Sequence, residues 1–178
     1  DFYLPTYNLF IEYDRQQHFE PVRFHGNNKE EDEHTFRINK EHDKIKDNYC
    51  KENNIEFWAY MILEQGALTG KYDVKHPFPE GSARAQIYNP KLPELTELIN
   101  TLKEVGAAHD LTIAQTAMNW AVTKGVLPIV GVTSAKHVAD AAKVSASRLT
   151  TAEMERLEKV ADKAGVNTIG SWEQDMRE

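Results

Sequence analysis

Cysteine is almost absent: Cys50 stands alone among 178 residues. A lone thiol excludes an internal disulfide framework and fits a reducing compartment, so a cytoplasmic protein is expected. Basic residues are in deficit, with 21 Lys and Arg against 28 Asp and Glu, for a formal net charge of -7. That balance argues against nucleic acid or an anionic membrane as partner, since either selects a basic face. Long apolar runs are missing as well, none approaching the ~20 residues that span a bilayer. The opening DFYLPTYNLF has no charged leader followed by an apolar stretch. Asp1 stands where a Met would start a chain, and the expectation from this is a fragment or a processed product. What is present suffices for a core: 40% of residues are hydrophobic, and a domain of this length buries roughly 70% of its unfolded surface.

The punctuation is regular only from about residue 50. IEFWAYMIL (55–63) is nearly all apolar, bounded by Asn53-Asn54 and Gly66, as a strand with both faces buried reads. Residues 93–106 set Leu95, Leu98, Ile99, Leu102 and Val105 on one helical face, with Pro93 in the first turn. Thr112 and Gln115 make a capping box for a second helix that ends near Gly125. VLPIVGV (126–132) is another short strand, after which Ser134 caps AKHVADAAK. Thr150 with Glu153 caps a last helix stopped by Gly165.

Strands alternating with helices in this way predict βα units feeding a parallel sheet. Residues 1–48 do not share the rhythm. YNLFIEY offers one more strand, and the stretch from Arg15 to Asn48, dense in charge, reads as a solvated excursion or a disordered insert. Two portions are therefore expected, 1–48 and 49–178.

In parallel sheets and barrels, ligands sit beyond the C-terminal strand ends. The two later strands run into LEQGALTGKY and GVTSAKH. Small residues let backbone N–H groups approach an anion, a helix N-terminus adds donors, and a lysine adds charge. These features suit a phosphate or dinucleotide, yet glycines and a lysine at such spacing also occur in ordinary turns.

The run AYMILEQGALTGKYDVKHPFPEGSARA, followed by LTIAQTAMNWAVTKGVLPIVGVTSAKHVADAA and the closing GVNTIGSWE, resembles the C-terminal part of an aldo-keto reductase. The likeness covers about residues 49–173 and is nearest to the branch carrying L-T-G-K-Y. It implies a TIM (β/α)8 barrel binding NADP(H) across its C-terminal rim, with strand seven at 55–60 and strand eight at 126–131. By position, it puts Tyr60 against the nicotinamide, Leu63 and Gln65 at the pyrophosphate with Lys71 as the cation, and Arg84 at the adenosine phosphate end. It also puts Gly131 and Thr133 in the adenine ribose phosphate loop, with His137 and Asp140 where the family prefers Gln and Glu. Ala141 and Met61 depart from the common Asn and Ser.

The resemblance also implies a hydride-transfer reaction on an aldehyde or ketone, served by an Asp/Tyr/Lys/His tetrad from the first four strands. No stretch here matches those strands, so no catalytic residue is assigned. YNLF at 7–10 is similar to strand six, although Leu4 stands where a Gln is expected. About three of the eight βα units of a barrel are accounted for, and their open edges imply a homo-oligomer or completion by another chain. The expected function is NADP(H)-dependent carbonyl reduction with the tetrad supplied elsewhere. The alternatives are a non-catalytic cofactor-binding or interaction module, and an oligomer whose cofactor loops are relics.

The other candidates read as structure. His18, His25, His34 and His42 are spaced seven, nine and eight apart, which fits no zinc motif, so no metal site is assigned. Tyr3, Tyr7 and Tyr13 have no Lys–Asp pair placed to tune an acid. Cys50 is expected buried on a helix before strand seven, and Trp58 and Trp120 in the core.

Overall fold

The computed structural model describes residues 2–11 and 29–166, which part after Trp58 into two compact units. In the first, β1 (Phe2–Leu4) and β2 (Leu9–Ile11) form an antiparallel pair joined by a 3-10 turn over Pro5–Tyr7. Asn8 closes the turn in the left-handed region, φ 49°, which Asn tolerates because its short amide bonds locally. Here its side chain accepts from the Tyr3 hydroxyl at 3.0 Å and donates to the Asn54 carbonyl at 3.0 Å. β2 runs parallel to β3 (Glu56–Ala59), with Phe10 opposite Phe57. Between them in sequence lies α1 (Lys29–Glu52), the helix of a βαβ connection.

Of the two readings of this stretch, a solvated excursion or a disordered insert, α1 decides for the first over residues 29–48 and against disorder there. Glu and Lys are good helix formers, and their density here, with pairs such as Glu41 and Lys44 a turn apart, suits a solvated helix as well as it suits disorder. Most of the helix's described side chains are solvated, among them Arg37, Ile38, Lys44 and Ile45, whereas Cys50 is buried. Residues 15–28 and Tyr13 lie outside the described residues, as does the closing GVNTIGSWE beyond Val166.

The second unit is helical. It holds α2 (Ala83–Tyr88), α3 (Leu92–Ala108), α4 (Ile113–Thr123), α5 (Ala135–Lys143) and α6 (Thr151–Ala164), with the short β4 (Val126–Pro128) packed against α4. Both predicted capping boxes form, at Thr112–Gln115 and Thr150–Glu153, Ser134 caps α5, and Gly165 stops α6 at φ 56°. α3 buries Leu95, Leu102 and Val105, spaced by the helical period. One core cluster gathers Ala67, Phe78, Ala85, Tyr88, Leu92 and Leu95; the other gathers Leu102, Val105, Ala117, Leu149 and Leu157. Leu68 and Leu98 pack against both and make them continuous. Asn119, fully buried, donates to the carbonyls of Val144 and Ser147 at 2.9 and 3.0 Å, so its burial is compensated. Trp120 is only half-buried, its indole N–H donating to Glu158 at 3.3 Å.

Both later strands stop sooner than their apolar runs suggest. β3 ends at Ala59, because Met61 takes φ 63° and turns the chain away. β4 ends at Pro128. Among the described residues no helix is long and apolar enough to cross a membrane.

Candidate functional site

The backbone N–H of Ile129 donates to the carbonyl of Ala59 at 2.7 Å. This bond joins the ends of β3 and β4, so the loops beginning at Tyr60 and Val130 start side by side. The first loop is wound unusually tightly. Glu64, Gln65 and Gly66 take φ values of 46°, 51° and 108°, all in the left-handed half of conformational space. For Glu and Gln that conformation costs about 1 kcal/mol or more each, so surrounding contacts must hold it.

Several do. The Leu63 carbonyl accepts from Gly66 and Leu68 N–H at 2.8 and 3.2 Å, and Thr69 Oγ1 donates to the Gly66 carbonyl at 2.6 Å. From α2, Arg84 Nη1 donates to the Gln65 carbonyl at 3.2 Å, and the Tyr88 hydroxyl donates to Glu64 Oε2 at 3.0 Å. The segment between turn and helix is pinned at Phe78, whose N–H donates to Asn89 Oδ1 at 2.9 Å while Asn89 Nδ2 donates back to its carbonyl at 3.1 Å. Phe78 stacks between Tyr72 and Tyr88, with ring centroids 3.8 and 5.4 Å away. Its outermost turn is made by Asp73, which accepts from the N–H groups of Lys75 and His76; the His76 N–H bond is the main reason its carboxyl sits below the usual range.

The second loop is open. Residues 131–139 are exposed, and an added Cβ at Gly131 would meet nothing within 4 Å. Ser134 Oγ accepts from the His137 N–H at 3.3 Å, and the Thr133 N–H donates to His137 Nδ1 at 3.4 Å. Lys136 Nζ pairs with Asp140 Oδ2 at 2.5 Å, one turn along α5.

The residues singled out in the sequence thus fall into two groups. Gln65 and Arg84 are bonded to one another; Thr133 and His137 are bonded to one another. Lys71 is exposed, its Nζ 5.2 Å from the Tyr72 ring centre, and Tyr60 and Leu63 are half-buried. The first turn of α4 reaches both groups. Gly70, at φ 72°, lies so close to α4 that an added Cβ would come 2.4 Å from Ile113 Cδ1. Gln115 Nε2 donates to the Asp140 carbonyl at 3.0 Å. Sequence reading missed Glu64, Tyr88 and Gln115 as the residues that fix these loops. An aromatic one turn past Arg84 was the signal for Tyr88, but core aromatics give the same signal.

Among the described residues no group of three or more His, Cys, Asp or Glu is placed to hold a metal ion. His34 and His42 are exposed, and His18 and His25 lie outside the described residues.

The sequence model of the aldo/keto reductase family matches residues 34–162. The chain is 35% identical over 120 residues to a chloroplastic pyridoxal reductase of Arabidopsis thaliana, covering 67% of this chain and 32% of that protein. It is 25% identical over 124 residues to aldo-keto reductase str7 of Strobilurus tenacellus, covering 66% and 36%. In three dimensions it is similar to a glycerol dehydrogenase from Gluconobacter oxydans, with a TM-score of 0.58, 20% identity and coverage of 70% of this chain and 39% of that one. The chain therefore spans about a third of the length of the curated relatives it matches, and the mixed strands and helices form part of a TIM barrel. This chain belongs to the aldo/keto reductase family of oxidoreductases.

Proposed function

We propose that the chain is the cofactor-holding C-terminal part of an NADP(H)-dependent reductase of aldehydes or ketones. The observation that carries this reading is the pairing of two loops at adjoining strand ends, one tightly wound and packed on the first turn of α4, the other open and leading into α5, which Gln115 of α4 anchors. The donor set suits a dinucleotide: exposed Lys71, Arg84 and Lys136, the capped start of α5, and a backbone turn at Gln65-Gly66. Tyr60 serves the nicotinamide end, Leu63, Gln65 and Lys71 the pyrophosphate, and Arg84, Gly131, Thr133, His137 and Asp140 the adenosine end. When bound, the nicotinamide supplies the hydride delivered to the carbonyl carbon. The proton donor and its Lys, Asp and His partners come from segments outside this chain, joined to it covalently or as a second subunit. The excess of carboxylates and single thiol fit a cytoplasmic setting.

A second reading is a cofactor-binding or interaction module without turnover, which needs only the two adjoining loops described above. Titration with NADPH, followed by cofactor fluorescence and thermal stability, tests the shared premise. Saturable binding that Lys71→Ala weakens about tenfold, the scale of one charged phosphate contact, supports both readings. A carbonyl-substrate screen then separates them. No binding at millimolar NADPH would sink both.

A further inference from the structure

Tyr88 is fully buried, stacked on Phe78, and a phenylalanine would fill that space equally well. A buried phenol must find a partner for its O–H, and this one reaches back 24 positions to the carboxylate of Glu64. Arg84, one turn earlier on the same helix, reaches the carbonyl of Gln65. The two contacts seize two consecutive residues that a free chain would rarely hold at positive φ. Exposed Lys71 lies further along the same segment, beyond Gly70.

We propose that Tyr88 and Arg84 are positioning residues, which splint the left-handed Glu64–Gly66 turn so that its backbone is preformed to receive the cofactor's phosphates. This rests on the NADP(H) reading of the loop. Without the splint, Glu64 and Gln65 relax toward negative φ and the ordering is charged against binding, lowering affinity in proportion to the fraction of chains no longer preformed.

The test is NADPH titration of the purified chain by fluorescence. Tyr88→Phe and Glu64→Ala should each raise Kd about tenfold, the scale of one hydrogen bond to a charged group. Glu64→Gln should stay within about twofold of wild type, because its amide oxygen still accepts from the phenol. The double variant Tyr88→Phe/Glu64→Ala should bind no more weakly than either single variant, as for two ends of one bond. Glu64 lies at the half-buried end of the pair, so its variants stay readable even where Tyr88→Phe loosens the core. Unchanged affinity in the single variants overturns this inference alone. So does an additive double variant, or a Glu64→Gln as weak as Glu64→Ala, which would assign the effect to charge. Absence of saturable binding by the wild type overturns the cofactor reading and this inference together.

Discussion

The side-chain amide of Gln115 works from both ends: its nitrogen donates to the Asp140 carbonyl at 3.0 Å while its oxygen accepts from the Thr112 N–H at 2.9 Å. One buried residue thus starts α4 and anchors α5 against it. Gln115→Ala removes half of a capping box and leaves the Asp140 carbonyl without this donor, a loss of about 2 kcal/mol. Urea denaturation should show the midpoint falling with the slope unchanged. A midpoint equal to wild type would mean that the α4–α5 contact is held by other residues.

Gly106 is set by close approach. A Cβ there would lie 2.3 Å from Thr116 Oγ1 and 2.7 Å from the Leu111 carbonyl oxygen. Neither can yield freely, since Thr116 Oγ1 donates to the Thr112 carbonyl and the Leu111 N–H donates to the Gly106 carbonyl, both at 2.9 Å. Gly106→Ala should destabilise by roughly 3 kcal/mol, a drop of roughly 6–12 °C in Tm for a chain of this size. Gly131→Ala is the control: it meets open space and should change Tm little.

Glu153 links acidity to stability. Burial pushes its carboxyl up, but hydrogen bonds from the Thr150 N–H and hydroxyl, and from His109, outweigh burial and leave it below its ordinary value of 4.5. A carboxyl lowered on folding adds stability that is present above its unfolded value and lost as pH falls through the folded one. Wild type should therefore lose more stability than Glu153→Gln when pH is stepped from neutrality to below 4.5. Gln keeps the cap's acceptor oxygen, so the difference isolates the charge. Parallel acid limbs for the two proteins in denaturant titrations would contradict this assignment.

How much could be read from the chain depended on the range of the contact. Caps and stops act over three or four residues, which is why Thr112–Gln115, Ser134, Thr150–Glu153 and Gly165 were legible. The family was legible too, from the ordered run of motifs around L-T-G-K-Y rather than from glycines and a lysine alone. The end of β3 was not, since the apolar run continues through Tyr60, Met61 and Ile62 while the backbone turns at Met61. The splint was not either: Arg84 and Tyr88 meet their partners from 19 and 24 positions away, and no local pattern encodes such a pairing. At α1, charge density left a solvated excursion and a disordered insert open, because solvated helices and disordered tracts draw on the same residues.

The segment from Gly66 to Tyr88 leaves the turn at Gln65 and returns to it through Arg84 and Tyr88, with Phe78 fastened midway. Its exposed tip at Asp73–His76 hangs outside all these fastenings. Residues gained or lost there burden the fold only through loop-closure entropy, about 0.6 kcal/mol for a doubling of length. Descent with variable length is thus open to this tip, whereas the Glu64–Gly66 turn, Phe78 and α2 must be inherited together.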